Sequence, residues 1–187
     1  MGFKVEKLKI PGLLLITPEL LRDDRGFFVE IYKSTDFEAH GIKKNFLQVN
    51  HSQSKKGVIR GLHYQLEPAA QAKLLRVVAG EIFDVAVDIR KGSPSYGRSV
   101  GVTLTAADQQ LLYIPEGFAH GFCALIESAE LEYFSTNEYS LAHERGIIWN
   151  DPAIGIQWPV TQPILSKKDS ELPTLAAAEK NFSYARA

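Results

Sequence analysis

The chain has 187 residues, 45% of them hydrophobic and 23% charged, with a formal net charge of −1. That length fits one sizeable core and is short for two, so the expectation is one domain over residues 1–187. Near-neutral charge excludes nucleic acid or an anionic membrane as a partner of the bulk charge and leaves any bound anion to local cations. A single cysteine, Cys123, excludes an intrachain disulfide framework and points to a reducing compartment, the cytoplasm.

Residues 1–10 intersperse Lys4, Glu6, Lys7 and Lys9 with apolar side chains, which is not the pattern of a secretory leader. Glu6 stands where a myristoylation signal needs Ser or Thr, and no apolar run is long enough to span a membrane. In chain order, residues 13–16, 26–32, 46–52, 58–64 and 73–78 are short runs of β-branched or aromatic side chains bounded by Gly, Pro or polar clusters, the pattern of strands. After Ala79-Gly80, residues 81–89 alternate with period two: Phe83, Val85, Val87 and Ile89 on one face, Ile82, Asp84, Ala86 and Asp88 on the other. Residues 100–105, 111–114, 122–126, 130–135 and 147–149 continue the series. Helical pattern is confined to 35–40, 105–109 behind a Thr cap, 169–172 and 175–180, and residues 181–187 show no reason to be ordered. So many closely spaced strands predict an all-β fold, a sandwich or barrel of jelly-roll type with a few short helices.

Several residues on these segments carry chemistry. His63 lies in an apolar strand, where a histidine is most often a hydrogen-bonded core residue. Beside a carboxylate it is also the usual general base near neutrality. Asp84, Asp88 and Asp169 are the candidate partners, and spacing does not choose among them; the plain reading of Asp169 is a helix cap. Tyr133 shares a strand face with Leu131 and Ser135, either as packing or as a phenol able to deliver a proton. Lys73 opens a strand, either solvated or turned inward to stabilise an enolate oxygen. Arg25 and Arg60 offer forked donors for phosphate, with surface ion pairs as the ordinary alternative. In a regular strand Arg60 and His63 point to opposite faces, so both serve one pocket only if Gly61 allows a bulge. Tyr139, Trp149 and Trp158 are flat enough to stack on a base and equally suited to packing.

Arg60-Gly61-Leu62-His63-Tyr64-Gln65 and Pro115-Glu116-Gly117-Phe118-Ala119-His120-Gly121 resemble the two motifs of the cupin superfamily, H-x-H and P-x-G-x-x-H. Gln65 replaces the second imidazole of the first motif, and a neutral amide is a poor ligand for zinc or iron, so the expectation is a cupin barrel without its metal. Together with Asp24-Arg25-Gly26-Phe27-Phe28-Val29-Glu30, Gln48-Val49-Asn50-His51-Ser52 and the run from Gly80 to Arg90, these motifs resemble the dTDP-4-dehydrorhamnose 3,5-epimerase family from about residue 10 to residue 173.

The resemblance implies a cupin-type jelly-roll β-barrel that needs no metal or other cofactor. It implies a homodimer formed by exchanging N-terminal strands, and a dTDP-4-keto-6-deoxy sugar as substrate, with neither nucleic acid nor membrane as partner. It implies His63 as base, Asp169 as its dyad carboxylate, Tyr133 as acid and Lys73 as the enolate-stabilising group. Arg25, Glu30, Gln48, Asn50, Arg60, His120, Glu144 and Lys168 fall at positions that bind the nucleotide diphosphate and sugar, and Tyr139 where an aromatic stacks on thymine. Val49 and Phe134 depart from the family's common Asp and Lys, which bears on substrate handling. Inversion at C3 or C5 alone, or keto-sugar isomerisation, remains an alternative. So do a metal cupin using His63 and His120, and a non-catalytic sugar-binding barrel.

Overall fold

The computed structural model describes residues 2–184. Its strands are β1 (Phe3–Lys7), β2 (Leu14–Pro18), β3 (Leu20–Asp23), β4 (Gly26–Val29), β5 (Gln48–Ser54), β6 (Ile59–Gln65), β7 (Lys73–Ala79), β8 (Glu81–Asp88), β9 (Ser99–Thr105), β10 (Leu111–Ile114), β11 (Phe118–Ala124), β12 (Ala129–Ser135) and β13 (Glu144–Gly146). Two short helices, α1 (Ser34–Ala39) and α2 (Lys167–Ser170), accompany them. One sheet has the order β1-β2-β10-β7-β12-β5, the other β13-β6-β11-β8-β9, and β3 and β4 pair with each other as a third, two-stranded sheet. The pairings are antiparallel throughout these sheets, giving the expected all-β jelly roll.

The period of two sorts each strand between layers. Leu75 and Val77 of β7 point between the sheets and meet Ile82, Ala86, Leu104, Phe122 and Leu131. Leu74 points the other way, onto Leu14, Ile16 and Leu111, under Phe37 of α1. Val85 and Val87 likewise face outward and are covered by Leu175, Ala178 and Phe182 from the C-terminal segment. With both faces of its sheet covered, β11 is buried at every position, so its sequence does not alternate.

Toward one end of the sandwich the inward side chains become polar. Tyr133 of β12 stands opposite Leu75 of β7 and Asn50 of β5, and Ser135 opposite Lys73 and Gln48. On the facing sheet His63 of β6 stands opposite His120 of β11. The next β11 position in register, Phe122, pairs with Arg60, so Gly61 and Leu62 of β6 stand against Gly121 alone. Gly61 carries this bulge at φ +124°, where a Cβ would lie 2.5 Å from the Gly121 Cα and 2.7 Å from the His120 carbonyl oxygen. Only glycine fits, and the irregularity turns Arg60 and His63 toward the same cleft.

Some expected boundaries move. β1 and β3 form from charged, half-exposed sequence that carries little strand signal. The strand expected at 147–149 lies at β13, and β4 stops at Val29. Thr105 does cap Asp108, donating to its carboxylate at 2.7 Å and accepting its N–H at 3.2 Å, but Gln109 takes φ +52° and the turn does not propagate into a helix. Residues 175–180 also form turns, because the Leu175 N–H goes to Asp151 and the Lys180 ammonium takes the Leu175 and Ala178 carbonyls. In the tail, Phe182 is buried at 7% exposure and Ser183 bridges Lys91, contrary to the expectation of no order. Residues 1 and 185–187 lie outside the described residues.

Candidate active site

The cleft between the sheets has two lobes. One, of about 420 Å³, is lined by Arg60, His63, Lys73, His120, Tyr133, Lys168 and Asp169 over apolar walls that include Leu75, Phe122 and Leu131. The other, of about 330 Å³, shares His63, Lys73 and Tyr133 and adds Gln48, Asn50, Gln65, Gln71, Tyr139 and Glu144.

His63 Nε2 lies 2.6 Å from Asp169 Oδ1. Ser166 caps α2, its hydroxyl accepting the Asp169 N–H at 3.0 Å, which leaves the Asp169 carboxylate, 4% exposed, free to face His63. Burial pushes that carboxyl up, but the hydrogen bond and charge of His63, the Ser166 hydroxyl and the Lys168 ammonium outweigh it and hold it below the usual range. An ionised carboxylate only accepts, so Nε2 donates to Asp169 and Nδ1 is the ring nitrogen left free for a substrate proton. Of the other two candidate partners, Asp84 takes His120 Nε2 at 2.8 Å, and Asp88 takes Arg90, Ser93 and Ser95.

Lys73 lines both lobes and, among the described residues, has no carboxylate within ion-pair distance. Burial lowers its ammonium to about 8, against the pull of Asp84 and Glu144. It is therefore a cation at neutral pH whose charge is not already spent on a partner. Burial raises the Tyr133 phenol, with Arg60 opposing, so the group stays protonated. Arg60 is fixed by Ser54 Oγ at 2.9 Å and the Gln53 carbonyl at 3.0 Å, both at the end of β5 on the facing sheet.

In the second lobe the Tyr139 hydroxyl donates to Glu144 at 2.9 Å, and Glu144 also accepts from Lys168 at 2.5 Å. Burial would raise Glu144, but the bonds from Lys168 and Tyr139 hold it below its usual range. Arg25 and Glu30 are not brought to the cleft. Arg25 sits at the β3–β4 turn with its side chain 90% exposed and paired with Asp23. Val49 and Phe134 face away from the cleft: Val49 is exposed, and Phe134 packs on Phe46 on the outer side of the sheet. Trp149 and Trp158 lie together elsewhere, the Trp158 indole donating to the Trp149 carbonyl at 2.7 Å.

Gln65, at the position of the second motif imidazole, has its amide bonded on both its atoms, and no cluster of three or more His, Cys, Asp or Glu side chains able to hold an ion occurs among the described residues. Sequence reasoning missed Ser166, although Ser166-x-x-Asp169 is itself a capping pattern, and it missed Gln71 altogether.

Fold and cleft together define a cupin-like jelly-roll protein with a polar interior site equipped for proton transfer. The dTDP-4-dehydrorhamnose 3,5-epimerase profile matches residues 7–177, and the chain belongs to that family. A Shigella flexneri dTDP-4-dehydrorhamnose 3,5-epimerase is 57% identical over 166 residues, covering 88% of this chain and 92% of that protein. The crystal structure of a Legionella pneumophila dTDP-6-deoxy-D-glucose-3,5-epimerase in complex with dTDP-4-keto-L-rhamnose superposes with a TM-score of 0.91 at 43% identity, covering 94% of each chain. A Streptomyces niveus relative, 41% identical over 176 residues and covering 94% of this chain and 85% of its own, is a dTDP-4-dehydrorhamnose 3-epimerase.

Proposed function

We propose that the protein inverts C3 and C5 of dTDP-4-dehydro-6-deoxy-D-glucose to give dTDP-4-dehydro-L-rhamnose. The observation that carries this reading is that the base and the acid enter one cleft from opposite sheets, His63 from β6 and Tyr133 from β12. Both C3 and C5 hydrogens are α to the C4 ketone. His63 Nδ1 takes a C–H proton, and the electron pair moves into the C4 oxygen as an enolate beside the Lys73 ammonium. The Tyr133 phenol protonates the carbon from the other face, inverting it, and solvent restores both groups before the second centre reacts. Arg60, His120 and Lys168 are suited to the diphosphate and sugar, and Gln48, Asn50, Glu144 and the flat face of Tyr139 to the nucleoside. The chemistry asks for no cofactor.

The same reading gives Arg25 and Glu30 a role in a homodimer. The β3–β4 hairpin forms a separate two-stranded sheet and exposes Leu21 and Phe28 on one face and Phe27 on the other, apolar side chains suited to a second copy whose cleft Arg25 would enter. β1 and β2 pair within their own chain, so this hairpin is the part available for exchange. Among the described residues no helix is long and apolar enough to cross a membrane, and the buried lone thiol of Cys123 suits a cytoplasmic protein.

The test is incubation of the substrate in deuterated water, followed by NMR and mass analysis, with a reductase added to trap product. Deuterium at both C3 and C5 with L-rhamno product is expected. Exchange and inversion at C3 alone would assign the chain to the 3-epimerase activity of its Streptomyces niveus relative, and at C5 alone would make it a C5 mono-epimerase. His63→Ala should lose turnover while keeping nucleotide affinity; equal loss of both would make His63 structural.

A further inference from the structure

Gln65 occupies the position at which the cupin motif carries its second imidazole, and its side chain is 4% exposed. Every part of the amide is used. Nε2 donates to the Ala69 carbonyl at 2.7 Å and the Glu138 carbonyl at 3.2 Å, and Oε1 accepts the Ser140 N–H at 2.7 Å. These partners fix the amide's orientation, since a flip would set N–H against N–H and oxygen against two carbonyls.

The residue between the two loop contacts is Tyr139, whose own N–H goes to Gln48 Oε1 at 2.7 Å. Gln48 comes from β5 in one sheet and Gln65 from β6 in the other. One residue pair earlier, Gln71 Nε2 donates to the Asn137 carbonyl and Asn137 Nδ2 to the Ala70 carbonyl, each at 2.7 Å. The Tyr139 ring itself is 53% exposed, so packing does little to hold it. What orients it is this set of amides on its backbone, together with its hydroxyl bond to Glu144.

We infer that Gln65 is a positioning residue for nucleotide recognition: it clasps residues 138–140 so that Tyr139 presents a fixed aromatic face to the second lobe. The inference rests on the functional reading of that lobe as the nucleoside site. Gln65 touches no reacting atom; it acts through Tyr139. An amide does this where an imidazole would not, because the task requires two donors and one acceptor in a single planar group. Replacing it leaves two carbonyls and one N–H without partners in a partly buried setting, and the loop gives up its register to rehydrate them.

The experiment measures dTDP affinity by calorimetry, with KM and kcat for the keto sugar, for the wild type, Gln65→Met, Tyr139→Ala and the double variant. Gln65→Met is expected to weaken dTDP binding and raise KM by about tenfold or more while kcat changes by less than about threefold. In the Tyr139→Ala background the same substitution is expected to cost no further dTDP affinity. Undiminished loss in that background, or a fall in kcat at unchanged KM, overturns the inference, since a merely structural glutamine would act independently of Tyr139. Gln71→Met, which removes one outer bond of the clasp, gives the same comparison should Gln65→Met fail to fold. A wild-type protein that binds no dTDP, or a Tyr139→Ala variant that binds it as well as the wild type, overturns the nucleoside-site reading and this inference with it; dTDP binding that Tyr139→Ala weakens and Gln65→Met leaves intact overturns the inference alone.

Discussion

Replacing Lys73 by methionine should make the protein more stable and nearly inactive. The ammonium is lowered from 10.5 to about 8 by burial, and Asp84 and Glu144 offset that only in part. A displacement of that size corresponds to about 3 kcal/mol. Because Lys73 is partly exposed and solvent screens it, about 1–3 kcal/mol is the range to expect. At pH 7 both folded and unfolded chains hold the proton, so the cost is present in full. As pH rises from about 8 toward 10.5 the folded protein releases a proton that the unfolded chain keeps, and stability rises. Above that window the penalty is gone.

Lys73→Met keeps the stem and removes the charge, so it should exceed the wild type by about 1–3 kcal/mol at pH 7, with the gap narrowing from about pH 8 upward and most of it gone by about pH 10. Urea unfolding of both proteins at pH 7, 8.5 and 10 reads this directly, and effects of other titrating groups cancel in the difference. Deuterium exchange should fall by at least about 10²-fold, the usual cost of losing one donor to a developing oxyanion. A variant less stable than the wild type at pH 7, or a gap that does not change with pH, would refute the reasoning. Against a typical total of about 5–15 kcal/mol, such a penalty is tolerable only where the charge has a use.

The same group sets a pH limit: kcat/KM should decline above about pH 8, as Lys73 loses its proton, and a rate that is flat to pH 10 would show that the enolate does not need the ammonium. Asp169→Asn should cost about 10²–10⁴ in turnover, because the amide no longer fixes the hydrogen on His63 Nε2, while dTDP affinity measured by calorimetry stays within a few-fold. Tyr133→Phe should still exchange substrate hydrogens into solvent from the His63 side but return them to the same face, so NMR should find deuterium without inversion. Ser166→Ala should lower stability by about 1 kcal/mol in thermal melts and reduce turnover more than it raises KM, since the cap holds the segment that carries Asp169.

Strand content, the alternation in β8 and the inward face of Tyr133 were legible because side-chain period and burial coincide there. The partner of His63 was legible through the family resemblance, which implied Asp169, and not through spacing. Asp84, Asp88 and Asp169 are equivalent in sequence, and only the fold brings residue 169 across 106 positions to residue 63. The need for a bulge at Gly61 could be deduced from two residues required on one face, whereas its reality depends on how closely Gly121 approaches. Gln65 read as a missing metal ligand; its use as a clasp for the Tyr139 loop depends on contacts with residues 69, 138 and 140, which no local pattern encodes. The ordered tail was missed for the same reason, since Phe182 gains its burial from the outer face of a distant sheet.

One pattern on the inner face explains how a single sandwich holds both a dry core and a charged cleft. Inward positions run Lys73, Leu75, Val77 along β7, and Ser135, Tyr133, Leu131 along its antiparallel neighbour β12, so Lys73 meets Ser135 at the polar end, Val77 meets Leu131 in the dry core, and Leu75 meets Tyr133 where the two join. A one-residue slip of β12 would turn Tyr133 outward and bring Phe134 and Glu132 in, removing the acid and burying a charge at once. The register that completes the core is thus the register that faces Tyr133 toward His63 across the cleft. Under the proposed function, inversion of a carbon centre needs proton removal and delivery on opposite sides of a ring, and His63 and Tyr133 on two facing sheets would supply those sides.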